Sequence, residues 1–180
     1  MRYLNDEEIN GLSERADEET RWVAGHLSSD EIEMIESWGQ TITLEIDHVG
    51  KILFCHGTPQ SDIDVFTKLT PDEKLLPVFE DVNVPVVVCG HTHMQFDRTI
   101  GDVRVVNAGS VGMPFGTTGA GWLLIDTEIK FKNTPYDLEN AADQIRRSSF
   151  PHAAHFALNN VLNTPSGERA LQMLTALEID

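Results

Sequence analysis

Between residues 41 and 55 the chain changes from one hydrophobic pattern to another. Thr41-Ile42-Thr43-Leu44-Glu45-Ile46 alternates polar and apolar positions, as a strand does when one face is buried. After a turn over Asp47 to Gly50, Lys51-Ile52-Leu53-Phe54-Cys55 is almost continuously apolar, which predicts a hairpin with a buried second strand. Leu69-Thr70-Pro71-Asp72-Glu73 then announces a helix, with Thr70 as cap, Pro71 in the first turn and Glu73 closing a capping box. That helix leads into Val84-Pro85-Val86-Val87-Val88-Cys89. Two apolar strands joined through a helix make a βαβ unit, whose second strand is hydrophobic on both faces as parallel interior strands tend to be.

Beyond residue 94 the rhythm becomes strand-turn-strand: Gln95 to Ile100, a Gly101-Asp102 turn, Val103 to Val106, then Trp122 to Asp126 and Ile129 to Lys132, all read as antiparallel. Helices frame this region. Ser28 and Glu31 form a capping box between apolar Leu27 and Ile32, so a helix starts near Ser29 and ends by Gly39. An earlier helix spans about Asp6 to His26 with Asn5 as cap. The tail offers Pro135-Tyr136-Asp137 as a helix start and amphipathic stretches over 138–148 and 166–177, the second capped by Ser166. The fold class is α/β, and 180 residues suit a single domain over 1–180.

Composition narrows the functional classes. Twenty-nine acidic against thirteen basic residues give a net charge of −16, which opposes general binding to nucleic acids and to anionic membranes. The same field opposes a phosphate ester unless cations reverse it locally. No apolar run is long enough for a membrane helix, and the acidic N-terminus resembles no secretion signal, so a cytoplasmic location is expected. The only cysteines, Cys55 and Cys89, are read as buried thiols.

The chemistry lies at the ends of the apolar strands. One closes as Phe54-Cys55-His56-Gly57, the other as Val88-Cys89-Gly90-His91-Thr92-His93. Ligand sites in open α/β sheets lie at the carboxyl ends of strands, so these two deliver three imidazoles to one edge. Neutral imidazole is a common metal ligand, which makes His56, His91 and His93 candidate metal ligands. His26, His48, His152 and His155 are read as ordinary hydrogen-bonded residues. A third loop, Asn107-Ala108-Gly109-Ser110-Val111-Gly112-Met113-Pro114, is rich in small residues. Its Asn107, Gly109 and Ser110 are candidates to face a phosphate.

In this order, His56-Gly57, Gly90-His91-Thr92-His93 and Asn107-Ala108-Gly109-Ser110-Val111-Gly112 resemble the C-terminal motifs of the calcineurin-like metallophosphoesterases. The similarity is to their small bacterial branch of diadenosine-tetraphosphatase and YfcE-like phosphodiesterases, and it runs from about residue 20 to the C-terminus. It implies a β-sandwich flanked by helices, two divalent metals (manganese, iron, zinc or nickel) and metal-assisted hydrolysis of a phosphate-ester small molecule. It also implies that His56 and His91 serve one metal and His93 the other.

The resemblance is incomplete. The family's D-x-H, G-D-x-x-D and G-N motifs do not occur ahead of His56, so the N-terminal βαβ portion of the fold is expected to be missing and the chain to be an N-terminally truncated form. Three imidazoles without a bridging carboxylate are expected to hold at most one metal, unless Asp62, Asp64 or Asp97 substitutes. The alternative is a catalytically inactive pseudoenzyme or interaction fragment of the same fold. A serine hydrolase built on Ser110 with His152 or His155 requires a helix straight after the serine, and Met113-Pro114-Phe115-Gly116 is a poor helix start.

Overall fold

The computed structural model describes residues 13–179 and falls into two compact units. One comprises residues 13–39 with Asp137–Leu162. Its helices are α1 (Glu14–Ala24), α2 (Ser29–Glu36), α4 (Leu138–Arg147), the short α5 (Ala153–Phe156) and a wider-wound π-helical segment, Ala157–Leu162. The other comprises Gln40–Tyr136 with 163–179 and holds every strand, with helices α3 (Asp72–Phe79) and α6 (Gly167–Thr175).

In the helical unit the predicted caps form where the sequence placed them. Ser28 accepts from the Glu31 amide while Glu31 reaches back to the Ser28 amide, completing the box at the start of α2. Asp137 caps α4. The proposed start of the first helix at Asn5 and Asp6 lies outside the described residues; within them Ser13 caps α1. Ala142, Ala157 and Val161 make a small core with Leu138, Ile145 and Phe156. His152 and His155, read from the sequence as ordinary hydrogen-bonded residues, have different settings. His152 precedes α5 in a left-handed conformation and meets Glu18 at 2.7 Å, and His155 meets Arg15 at 3.0 Å.

In the sheet unit, β1 (Thr41–Ile46), β2 (Gly50–Cys55), β3 (Val86–Cys89), β5 (Val103–Asn107) and β4 (Phe96–Ile100) lie side by side in that order. The β1–β2 hairpin is antiparallel, and β2 runs parallel to β3 through the α3 crossover, as the βαβ reading requires. The chain then overshoots to β4 at the edge and returns as β5, which inserts between β3 and β4. Strand β5 is therefore antiparallel to β4 but parallel to β3, correcting the wholly antiparallel reading of this segment. The pair β6 (Ala120–Ile125) and β7 (Ile129–Thr134) forms a separate two-stranded sheet.

Both faces of β3 are covered. Val87 and Cys89 pack with Phe66, Leu75, Phe79 and Phe96, and Val86 and Val88 pack with Ile52, Val106 and Ile129. Leu123 and Ile125 of β6 join the second cluster, so the small sheet lies over the large one as a two-layer sandwich. Strand β2 is less enclosed than its composition suggests: Ile52 is fully buried and its other apolar residues only partly.

The start of α3 also differs from expectation. Pro71 occupies the cap position without a side-chain bond, and the Thr70 hydroxyl instead accepts from the Thr67 amide at 2.8 Å. The Arg98 guanidinium takes over the loop, donating to the carbonyls of Thr67 and Thr70 and pairing with Asp72. A cation from β4 thus holds the turn that a local cap was expected to hold. Among the described residues no helix is long and apolar enough to cross a membrane.

Candidate metal and phosphate site

The loops after β2, β3 and β5 meet because their strands are neighbours, and backbone bonds tie them together. The Gly90 amide donates to the His56 carbonyl at 2.9 Å, and the Ala108 amide to the Cys89 carbonyl at 2.8 Å. The three strand-end motifs are thereby one continuous edge.

Within that edge, Nδ1 of His91 and Nε2 of His56 stand 3.1 Å apart, with the rings at 62°. His93, two residues on, is not part of that contact: its ring leans on Phe115 at 5.5 Å, and its buried Nδ1 has no hydrogen-bond partner. Both His91 and His93 adopt left-handed backbone, with φ of 64° and 59°. Such values cost a non-glycine residue roughly 1–2 kcal/mol, so the surrounding structure must enforce them.

Asn107 does much of that enforcing. Fully buried at the end of β5, it donates from Nδ2 to the Gly90 carbonyl and to the Thr92 hydroxyl at 3.0 Å, while its Oδ1 accepts from the Gly109 amide at 2.9 Å. Both amide protons are therefore committed to the protein itself. Asn107, expected beside a phosphate, braces the histidine turn from behind and does not present its side chain outward. Gly109 has φ of +80°, and a Cβ there would come within 2.6 Å of Gln95 Cγ, so the loop is shaped around glycine. Gln95 in turn brings its Nε2 within 3.2–3.3 Å of the carbonyls of Ala108, Trp122 and Lys132, joining the loop to the small sheet. The Ser110 hydroxyl accepts from the Met113 amide at 3.0 Å and keeps its own proton for another acceptor.

Two of the imidazoles, His91 and His93, are pushed towards the neutral form. Burial lowers the pKa of His91, aided by the charge of His56 and opposed by a backbone bond to Ile63 and by Asp62 and Asp64. Burial likewise lowers that of His93, with the Met113 backbone opposing and the other two histidines assisting. Neutral rings keep the lone pairs that a cation needs. Beneath the site, burial pushes the Cys55 thiol up to about 12 and that of Cys89 higher still, so neither supplies a thiolate ligand at neutral pH.

The donor set partly fits a metal. Two nitrogens on a tetrahedral zinc at about 2.0–2.1 Å lie about 3.3 Å apart, close to the His56–His91 separation, and the orphaned Nδ1 of His93 is a further free donor. Yet among the described residues no three histidine, cysteine, aspartate or glutamate side chains converge as one metal cage. Asp97 is paired with Arg104 at 2.7 Å, and Asp64 accepts from the Thr58 hydroxyl at 2.9 Å. Asp62 and Asp64 act on His91 through their fields. No helix follows Ser110, the feature a nucleophile elbow would need.

The residues at this edge, in this order on this sandwich, define a phosphoesterase fold. A sequence model of the calcineurin-like phosphoesterase superfamily domain matches residues 4–130, and the chain belongs to that superfamily. No curated protein matches it. Among solved structures it is similar to a hypothetical protein from Pyrococcus horikoshii, with a TM-score of 0.70, 18% identity, and 87% of this chain and 63% of that one covered. It is also similar to a metallophosphoesterase from Sphaerobacter thermophilus, with a TM-score of 0.63, 16% identity, and 88% and 72% covered. At these identities the likeness is one of fold, and the chain spans less than two thirds of the first neighbour's length.

Proposed function

We propose that the edge formed by His56, His91 and His93 binds a divalent cation and takes part in hydrolysing a phosphate-ester small molecule. The observation that carries this reading is the 3.1 Å approach of two ring nitrogens, one on each neighbouring strand end, with His91 held neutral. A bound divalent cation supplies charge neutralisation at the phosphoryl group and an activated water. His56 and His91 would hold that cation through ring nitrogens, and His93, two residues on from His91, has a buried Nδ1 without a hydrogen-bond partner. Asn107 fixes the backbone that carries the two later histidines. The Gly109-Ser110 loop lies next to them, and the Ser110 proton can be given to a phosphoryl oxygen. Imidazole donors suit manganese, iron, zinc and nickel alike.

A second reading rests on the incomplete cage: a member of the superfamily that keeps the histidine edge without turnover. One assay separates the two. Hydrolysis of bis-p-nitrophenyl phosphate that requires added divalent metal, and is lost in His91→Asn, supports the enzyme. Cation binding without hydrolysis supports the inactive form. Asparagine is chosen because it tolerates the left-handed backbone at this position.

A further inference from the structure

A cavity of about 290 Å³, at the lower end of the range for small-molecule sites, has His93 in its wall. Its walls have distinct characters. His93 and Ser110 form the side shared with the candidate site, Phe115 and Met94 supply apolar surface, and Lys68 supplies a cation against the chain's strongly negative field. Four glycines, Gly109, Gly116, Gly121 and Gly167, contribute backbone to the wall beside Gln95, Pro114 and Thr117. Gly116, with φ of +75°, sits so close to Gly167 at the start of α6 that a Cβ would lie 3.0 Å from the Gly167 Cα. The Gly116 amide donates to the Pro165 carbonyl at 3.0 Å, which holds this wall in place. Backbone therefore meets backbone at this point of the wall, and no side chain fits at Gly116.

Phe115 occupies the decisive position. Its amide donates to the His93 carbonyl at 3.1 Å, and its ring stands 5.5 Å from the imidazole at 37°. It is therefore fixed to the same turn as the candidate ligands while lining the neighbouring space. A cavity with an aromatic ring in its wall offers a flat unsaturated group a ring contact that a saturated group lacks. Offset or edge contacts between rings add about 0.5–1.5 kcal/mol beyond area burial.

We propose that this cavity holds the leaving group of the phosphate ester, and that it selects a leaving group built on a single planar unsaturated ring. Phe115 contacts that ring and Lys68 lies at the rim, where a ring face can also meet its ammonium. The proposal rests on the phosphoester reading above, because it assumes that the phosphoryl group sits against His93 and Ser110.

Equilibrium binding of methyl, cyclohexyl and phenyl phosphate to the full chain in the presence of manganese tests it, since the three carry the same charge and differ only in the group beyond the ester oxygen. Phenyl phosphate is expected to bind about tenfold tighter than methyl phosphate, the equivalent of about 1.4 kcal/mol, and tighter than cyclohexyl phosphate. Phe115→Leu, which keeps apolar volume, is expected to bring the phenyl-to-methyl ratio close to one, and Phe115→Tyr to retain it. Equal binding of all three overturns this proposal and leaves the phosphoester reading standing, as does an unchanged ratio in Phe115→Leu. Binding of none overturns both.

Discussion

Strand β2 has a different neighbour on each side. β3 is buried along its whole length, whereas β1 is exposed at every residue but Ile46, which is half-buried. Apolar content does not explain the contrast. Ile42 and Leu44 stand directly across from Phe54 and Ile52 and share their face, yet they are 57% and 46% exposed, while Ile52 is fully buried. What differs is the second layer: within the sheet unit Ile129, Leu123 and Ile125 pack on β2 and β3 and reach Ile46 at the end of β1, but not Ile42 and Leu44. Hydrophobic patterning specifies which face of a strand is apolar; only the layer above decides whether that face is dry.

Matched substitutions test this most directly. Ile52→Ala is expected to cost about 2–5 kcal/mol in denaturant unfolding, since it opens a cavity inside a packed cluster. Ile42→Ala, the same chemical change one strand away, should stay within about 0.5 kcal/mol of wild type. Comparable losses would show that β1 is covered in solution.

At the buried end of the comparison, Asn107→Ala strips partners from Thr92 and Gly90. A loss of about 1–3 kcal/mol is expected, together with weaker cation binding by calorimetry. A stability loss without any change in cation affinity would separate the brace from the histidines it is argued to position.

The thiols report on the same contrast by reactivity. With Cys55 pushed up to about 12 and Cys89 higher, a disulfide reagent at pH 8 should label the native chain slowly and the urea-unfolded chain at once. Fast native labelling of Cys55 would mean that β2 opens readily on its β1 side.

The smallest effect belongs to the small sheet. Asp126 accepts from the amides of Thr127 and Glu128 and from Lys130, and the Glu128 amide bond above all holds its carboxyl down at about 2. A lowered folded value means that the unfolded chain binds the proton first. The contribution is therefore complete above about pH 4 and fades as pH falls towards 2. Asp126→Asn should flatten the unfolding midpoint across that window only, and an equal flattening near neutrality would point to another group.

Much of this architecture was legible in the sequence because the signals were local. The Val86-Val87-Val88-Cys89 run, the β1 alternation, the Ser28–Glu31 box and the Ser166 cap each depend on a few adjacent residues. What escaped depends on distant partners. The insertion of β5 beside β3 is a pairing across a sheet, the displaced role of Thr70 depends on Arg98 from another strand, and the inward turn of Asn107 depends on Gly90 and Thr92. The histidine trio was visible as three residues at strand ends, with His56 and His91 expected together and His93 apart, but the 3.1 Å approach of the two rings was not. Phe115 carried no signal at all, since a phenylalanine in a glycine-rich loop reads as packing until its bond to His93 is seen.

The left-handed backbone at His91 and His93 sets stability against chemistry. Glycine would adopt those angles without strain, so His93→Gly should relieve roughly 1–2 kcal/mol of conformational strain while deleting a nitrogen donor. A variant selected only for resistance to unfolding would drift towards glycine at this turn and lose the imidazole there. Screens for stability and for cation binding should therefore favour opposite residues at the same two positions.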